Sequence, residues 1–142
     1  MPEPVITAEL FKRRLARLCL SGELPALPRS QQDRHILLKS MQLVFKHGVN
    51  YSEREVNDLL DRWKDKVGVN LACDCVSLRR ALVDHGYLVR PTDGSRYTTG
   101  IVSGLFEPGA DLLDPEEVVV TARRERDVRK AEHATKHASN QG

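Results

Sequence analysis

The chain of 142 residues has no long apolar run, few cysteines and few aromatic residues, and each shortage excludes a class of protein. No segment approaches the roughly 20 apolar residues that span a bilayer. Glu3 and Glu9 stand where a secretory signal needs a basic start and an apolar block. Three cysteines, an odd number, do not make a disulfide framework, so we expect reduced thiols. These shortages predict a cytoplasmic protein with no membrane partner.

The remaining composition is that of an ordinary globular domain. Apolar residues make up 40% of the chain, charged residues 30% and aromatic residues 5%, which excludes a collagen-like, low-complexity or wholly disordered chain. The net charge of +2 is too small to indicate a nucleic acid or an anionic membrane as partner. Charge is uneven near the C terminus: residues 101–122 contain five acids and no Lys or Arg, and residues 123–142 contain six basic and three acidic residues. Composition alone leaves the function open.

Turn residues separate an N-terminal segment from the domain that follows. Thr7 precedes apolar positions at helical spacing, which predicts a helix over residues 8–20. Pro25 and Pro28 then interrupt the helical pattern and favour an extended linker. We therefore predict an N-terminal helix within residues 1–23 and the start of the main domain at residue 24.

Three more helices are predicted in the main domain. Ser30 is a start signal for a helix whose apolar residues cover most of its circumference and continue to Gly48. Ser52 and Glu55 have the spacing of a capping box, and the apolar residues after them lie on one face of a helix. Residues 73–85 form the third helix counted from Ser30. The first of these helices is expected at the centre of the core, because apolar residues cover most of its circumference.

A short hairpin follows the third helix directly. Gly86 is placed for a left-handed stop, residues 87–89 and 96–98 have strand composition, and residues 92–95 predict a turn between them. Three helices followed by a two-stranded hairpin is the order of a winged helix-turn-helix domain, whose third helix can lie in a groove of DNA. The predicted fold class is therefore α+β, mainly helical and winged helix-turn-helix-like, over residues 24–98.

Residues 99–142 form a loop and a charged tail. Glycine and proline interrupt the pattern until a helix is predicted over residues 116–136. Its basic residues are candidates for phosphate contact, but acids are interleaved with them, so a solvated helix is an alternative. Pairing with another subunit through Val118, Val119 and Val120 is a second alternative. The basic residues are Arg123, Arg124, Arg126, Arg129 and Lys130.

Two separated blocks of the chain carry a family resemblance. The first runs from Tyr51 to Asn57, with Leu60 after it, and the second runs from Ser77 to Arg90. Together with the hairpin sequence DGSRY at residues 93–97, they resemble the bacterial domain of unknown function 2087, over roughly residues 24–98. Members of that family occur alone or joined to repressor-type DNA-binding domains, so the resemblance implies a role in transcription regulation. It implies no biochemical activity.

The outer face of the third helix carries the candidate DNA-binding residues. If Leu78 marks the buried centre, a rotation of 100° per residue points Arg80 away from the core and places Arg79 at the flank. Basic residues on the hairpin would reach the neighbouring phosphate backbone. We predict binding of double-stranded DNA, as a homodimer on paired half-sites. The candidate residues are Ser77, Arg79, Arg80, Arg90 and Arg96.

Other interpretations of these basic residues stay open. The arginines of the third helix and the hairpin are either DNA contacts or are solvated and paired with neighbouring acids. Val76 and Val83 lie on the same outer face and suit a protein contact, which predicts a module that docks another regulator. The basic side of the N-terminal helix is either an auxiliary phosphate contact or a solvated face. It consists of Arg13, Arg14 and Arg17, with Lys12 nearby.

Cys73 and Cys75 lie at the start of the third helix, where a helix N-terminus lowers a thiol pKa and favours the thiolate. They are therefore a third candidate site, for a thiol-based or metal sensor. Two thiols supply at most half of a tetrahedral zinc shell, and packing of small thiols at a helix start is the alternative. We predict no bound metal and no cofactor.

No arrangement typical of catalysis is present in the sequence. We find no recognisable spacing of a nucleophile with a base, of paired carboxylates in an apolar setting, or of a glycine-rich phosphate loop. The sequence therefore predicts a protein that acts by binding and is not an enzyme.

Overall fold

The computed structural model describes residues 5–91, 96–102 and 104–140, with side chains described as far as residue 135. Two strands, β1 and β2, form an antiparallel hairpin, and a 3-10 helix precedes the last of the helices. The fold is α+β and mainly helical, as predicted. The bounds within the described residues are α1 Ala8–Leu20, α2 Gln31–Gln42, α3 Glu53–Lys66, α4 Cys75–Asp84, β1 Leu88–Val89, β2 Thr98–Thr99, the 3-10 helix Pro108–Leu112 and α5 Pro115–Asn140.

The predicted starts of α1, α2 and α3 are confirmed by side-chain caps. The Thr7 hydroxyl accepts a hydrogen bond from the backbone N–H of Leu10 at 3.0 Å at the start of α1, and Ser30 caps α2. At the start of α3, the Ser52 hydroxyl accepts a hydrogen bond from the Glu55 N–H at 3.1 Å, and the Glu55 carboxylate accepts one from the Ser52 N–H at 3.0 Å. These caps satisfy N–H groups that a helix leaves unpaired in its first turn.

Two predicted helix boundaries are wrong, the end of α2 and, by two residues, the start of α4. α2 ends at Gln42 instead of continuing to Gly48, because the chain tightens into a turn in which the Phe45 N–H donates to the Gln42 carbonyl. α4 begins at Cys75 instead of residue 73, because Asp74 is its N-cap. The Asp74 carboxylate accepts from the Ser77 N–H at 2.7 Å.

The hairpin is held to the helices on two sides. Leu88 pairs with Thr99 across the two strands, and Gly86 has the positive φ of +83° that lets the chain turn out of α4. Tyr51, just before α3, exchanges two backbone hydrogen bonds of 2.7 Å with Tyr97. The hairpin is therefore fixed both to the end of α4 and to the start of α3. The predicted turn over residues 92–95 lies outside the described residues.

The N-terminal helix α1 and the C-terminal helix α5 contribute apolar side chains to the same core as α2, α3 and α4. Phe11 and Leu15 of α1 are fully buried, and Val118 and Val119 of α5 are buried with them and with Trp63 of α3. α1 packs against α2 and α5, and α5 also packs against α3. Burial of these apolar side chains removes them from water, which is the main stabilising term in a domain of this size.

The second half of α5 leaves the core. Residues 127–135 are all exposed, although the helix continues without a break to Asn140. Among the described residues, neither α5 nor any other helix combines the length and the apolar character needed to cross a membrane.

Candidate nucleic-acid interface

The helix α4 has one face in the core and one face toward solvent. Leu78 and Leu82 are fully buried and pack α4 against the rest of the domain. Ser77 and Arg80 are exposed, and Val76 retains 48% of its surface. This is the orientation that the helical periodicity predicts, with Arg80 pointing away from Leu78.

Arg79 belongs to the buried side of this arrangement. Its Nη2 lies 2.9 Å from a Glu53 carboxylate oxygen, and its Nη1 donates to Asn57 Oδ1 at 2.6 Å. Only 13% of the Arg79 side chain is exposed. Both partners lie on α3, so the guanidinium ties α4 to α3 and its charge is balanced within the protein.

A cleft of about 250 Å³ lies between α4 and the hairpin. It is lined by three of the predicted site residues, Arg79 and Arg80 of α4 and Arg90, which directly follows β1. Of these three, Arg79 has its guanidinium held by residues of α3. The other lining residues are Val76, Val83, Asp84 and Tyr97.

The two hairpin arginines have different neighbours. The Arg90 guanidinium lies 5.7 Å from the centroid of the Tyr97 ring, a cation–π contact that holds an exposed side chain over the cleft. Arg96 is exposed beside the start of α3, close to Glu55. The pKa of Glu55 is lowered mainly by hydrogen bonds from Ser52, and in smaller part by the charge of Arg96. Arg96 therefore faces an acid, whereas Arg90 faces the cleft.

Acidic residues border the exposed face of α4. Asp84 lines the cleft, and Asp74 caps the helix at its other end. The pKa of Asp74 is lowered first by its hydrogen bonds from Ser77 and then by the charges of Lys64 and Arg80. The cleft therefore combines the positive charges of Arg80 and Arg90 with the negative charge of Asp84.

The basic residues of α1 lie on a different part of the protein. Arg14 forms a bidentate ion pair with Asp33 of α2, with both oxygens of Asp33 at 2.8 Å from its Nη2. Arg13 and Arg17 are exposed. Since α1 packs on α2 and α5, these arginines do not line the cleft between α4 and the hairpin.

The basic residues of α5 are only partly available to a partner. Arg124, Arg129 and Lys130 are exposed, whereas Arg123 and Arg126 are half-buried. Of the apolar residues considered for subunit pairing, Val118 and Val119 are buried within this chain and Val120 is half-buried.

The sequence-based expectation of a low thiol pKa at Cys75 is wrong. Its Sγ donates to Asp61 Oδ1 at 2.7 Å, and burial together with this carboxylate raises the pKa of the Cys75 thiol to about 11. Cys73 is half-buried, and burial raises the pKa of the Cys19 thiol to about 12. Over the described parts of the chain, no three His, Cys, Asp or Glu side chains are grouped so that they would hold a metal ion.

The structure adds residues that the sequence analysis did not assign to the site. Tyr97 lies under Arg90, and Glu53 and Asn57 hold Arg79. Glu53 and Asn57 carry no local signal for this role, because their contacts with Arg79 depend on how α3 and α4 pack.

The part of the chain that contains the cleft matches a known protein family. A family model described as an uncharacterised protein conserved in bacteria, DUF2087, matches residues 23–99, which is 77 of the 142 residues. The match spans the linker, α2, α3, α4 and the hairpin, and therefore includes the whole cleft. Searches of curated proteins and of solved structures gave no significant match. The chain belongs to the DUF2087 family of bacterial proteins.

Proposed function

We propose that this protein binds double-stranded DNA and acts in transcription regulation, with α4 in the major groove and the hairpin on the adjoining phosphates. The observation that carries the proposal is the position of Arg80 and Arg90 in one solvent-exposed cleft between α4 and the hairpin. The order of three helices and a hairpin supports it, because that order is used by winged helix-turn-helix proteins to present a helix to DNA. A cytoplasmic location is part of this proposal.

The predicted residues then have separate roles. Arg80 and Arg90 contact phosphate or base edges, and Ser77 contacts phosphate from the first turn of α4. Arg96 serves as an outer phosphate contact beside the hairpin. Arg79 is a positioning residue, since its ion pair with Glu53 fixes the rotation of α4 that turns Arg80 outward.

The affinity of a single copy is expected to be modest. Three or four phosphate contacts correspond to a slope of roughly −3 in a plot of log affinity against log salt. A homodimer on paired half-sites doubles the number of contacts and is part of the proposal.

The direct test is a DNA titration in a series of salt concentrations. A fluorescently labelled mixed-sequence duplex is titrated with the protein and followed by anisotropy. The variant with Arg80→Ala and Arg90→Ala is expected to bind at least about 10-fold more weakly and to show a flatter salt dependence, by roughly two units of slope per copy bound.

A matched control carries the same loss of charge elsewhere. Arg13→Ala with Arg17→Ala removes two exposed arginines from α1. This control is expected to change affinity by less than about 3-fold. Equal losses of affinity in the two double variants would reject the cleft as the interface.

A protein partner at the same cleft is a second candidate. It is favoured by the 48% exposure of Val76 and by the apolar surface of Val83 and Tyr97 that lines the cleft. Two measurements separate the candidates. A gel-shift assay at low salt measures DNA binding, and light scattering measures the mass of the protein alone and after mixing with a candidate partner protein. Absence of a DNA shift, together with a change of mass that Val76→Asp abolishes, would favour protein docking. A salt-dependent shift by the protein alone, which is lost in the variant with Arg80→Ala and Arg90→Ala, would favour DNA.

A further inference from the structure

A second cavity, of about 560 Å³, lies between the end of α2, β2 and the segment that leads to α5, and it shares no lining residue with the cleft. Its walls include Leu43, Phe45, Ile101 and Val102. Ile101 retains 81% of its exposure and stands at the opening. Cavities of 300–1,000 Å³ with apolar walls and a few polar groups are typical of small-molecule sites.

The ammonium of Lys39 in this cavity has little access to water, and the other polar residues of the lining are Gln42, His47, Thr99 and Asp111. Lys39 lies on α2 and retains 9% of its exposure. Its Nζ is 2.5 Å from Asp111 Oδ1 and 3.0 Å from Gln42 Oε1, and it lies 5.6 Å from the centroid of the Phe106 ring. A buried ammonium requires an anion close to it, because burial of an unpaired charge is strongly unfavourable.

The two oxygen partners of Lys39 differ in how firmly they are held. Gln42 also donates from Nε2 to the carbonyls of Tyr87 and Gly100, at 3.0 and 2.8 Å, so all its polar contacts fix it in place. Asp111 lies on the five-residue 3-10 helix, and 63% of its side chain is exposed. The Asp111 carboxylate can move into water with little loss of hydration, whereas the Gln42 amide cannot leave without breaking two hydrogen bonds.

We propose that this cavity binds a small organic acid with an apolar body, whose carboxylate takes the place of Asp111 on Lys39. The apolar body lies against Phe45 and Val102, and Asp111 turns out to solvent. Asp111 is then an internal stand-in for the ligand, because it supplies the anion that Lys39 needs when the cavity is empty. This site does not depend on the proposed DNA-binding function.

The charge pattern favours an acid over an alcohol or an amine of the same shape. An ammonium donates stronger hydrogen bonds to a carboxylate than to a neutral oxygen. An amine would bring a second positive charge next to Lys39. The ligand class is therefore set by Lys39, and the preference for an apolar body is set by the walls.

The test uses octanoate, octanol and octylamine as probes with the full chain. Each is titrated into ¹⁵N-labelled protein, and chemical shifts are followed by NMR. Octanoate is expected to shift the amides of Phe45 and Val102 and to bind at least about 10-fold more tightly than octanol, with no shift from octylamine at the same concentration. Equal affinity for octanoate and octanol, or no shift at these amides, would overturn the proposal.

Three variants locate the carboxylate and the apolar body. Lys39→Met keeps the aliphatic length and is expected to reduce octanoate affinity by at least about 10-fold. Asp111→Asn removes the competing anion and is expected to raise the affinity by about 3- to 10-fold. Ile101→Asp places a negative charge at the opening, at an exposed position where the fold is not affected, and is expected to reduce affinity.

The Asp111→Asn result keeps the proposal testable if Lys39→Met fails to fold. Competition predicts tighter binding in Asp111→Asn, whereas a merely structural ion pair predicts no change or a loss. Octanoate affinity that is unchanged or lower in Asp111→Asn would overturn the proposal, and so would affinity that is unchanged in Ile101→Asp.

Discussion

The two faces of α4 contain neighbouring arginines with opposite surroundings. Arg79 is tied to Glu53 and Asn57 of α3 and is 13% exposed, whereas Arg80 is exposed at the cleft with Arg90. The residues have the same charge and adjacent positions, so the difference comes from the partner elements. Two adjacent arginines on a helix therefore need not share one role. Of this pair, only Arg80 presents its guanidinium to solvent at the cleft, because that of Arg79 is held by α3.

The largest expected effect is on the stability of the fold and comes from a substitution on the buried face of α4. Leu78→Ala deletes a fully buried side chain and is expected to lower the free energy of unfolding by about 3 kcal/mol, through lost burial and the cavity left behind. Val76→Ala on the exposed face is the matched control, with an expected change below about 0.5 kcal/mol. Urea denaturation followed by circular dichroism measures both, and similar losses would contradict the assignment of the two faces.

A smaller effect separates the two arginines themselves. Arg79→Met is expected to lower the free energy of unfolding by about 1.5 kcal/mol, because Asn57 loses a donor and α4 loses its ion pair to α3. Arg80→Met is expected to change it by less than about 0.5 kcal/mol. The same denaturation measurement applies, and the comparison fails if Arg80→Met is the more destabilising change.

The smallest effect concerns the acid that caps α4. The pKa of Asp74 is lowered, chiefly by hydrogen bonds from Ser77, so its contribution to stability is present above its ordinary pKa and is lost as pH falls through the lowered value. Unfolding measured between about pH 5 and pH 2 is expected to show this loss. Asp74→Asn should make the stability fall less steeply over that range, and a slope identical to that of the unchanged chain would contradict the role of the cap.

Local structure was largely predictable from the sequence. The caps at Thr7, Ser30 and Ser52 and the stop at Gly86 each depend on residues within a few positions, and each prediction is confirmed. The start of α4 differs from the predicted residue 73 because Asp74 is the N-cap and accepts from the Ser77 N–H three positions later.

The site was only partly predictable, because its contacts join distant parts of the chain. The outward direction of Arg80 follows from helical periodicity and is confirmed by its exposure. The partners of Arg79 lie 22 and 26 positions earlier, and the Asp61 partner of Cys75 lies 14 positions earlier. These partners depend on the packing of α3 against α4, which periodicity within one helix does not specify.

The packing of α1 and α5 into one core could not be predicted from local sequence patterns. Ile6 forms a parallel bridge with Phe106, 100 positions away, and this pairing brings the N-terminal segment beside the approach to α5. The 3-10 helix that carries Asp111 lies in the same region, where glycine and proline interrupt any periodic pattern. A long-range contact of this kind leaves no trace in local spacing.

The most direct test of the central claim is the salt dependence of DNA affinity in single variants of the two neighbouring arginines. If Arg80 contacts phosphate and Arg79 only holds α4, Arg80→Met reduces the slope of log affinity against log salt by about one unit per copy bound. Arg79→Met, measured under conditions where it is folded, then leaves the slope unchanged. Equal reductions in the two variants, or a reduction in Arg79→Met alone, would contradict the account.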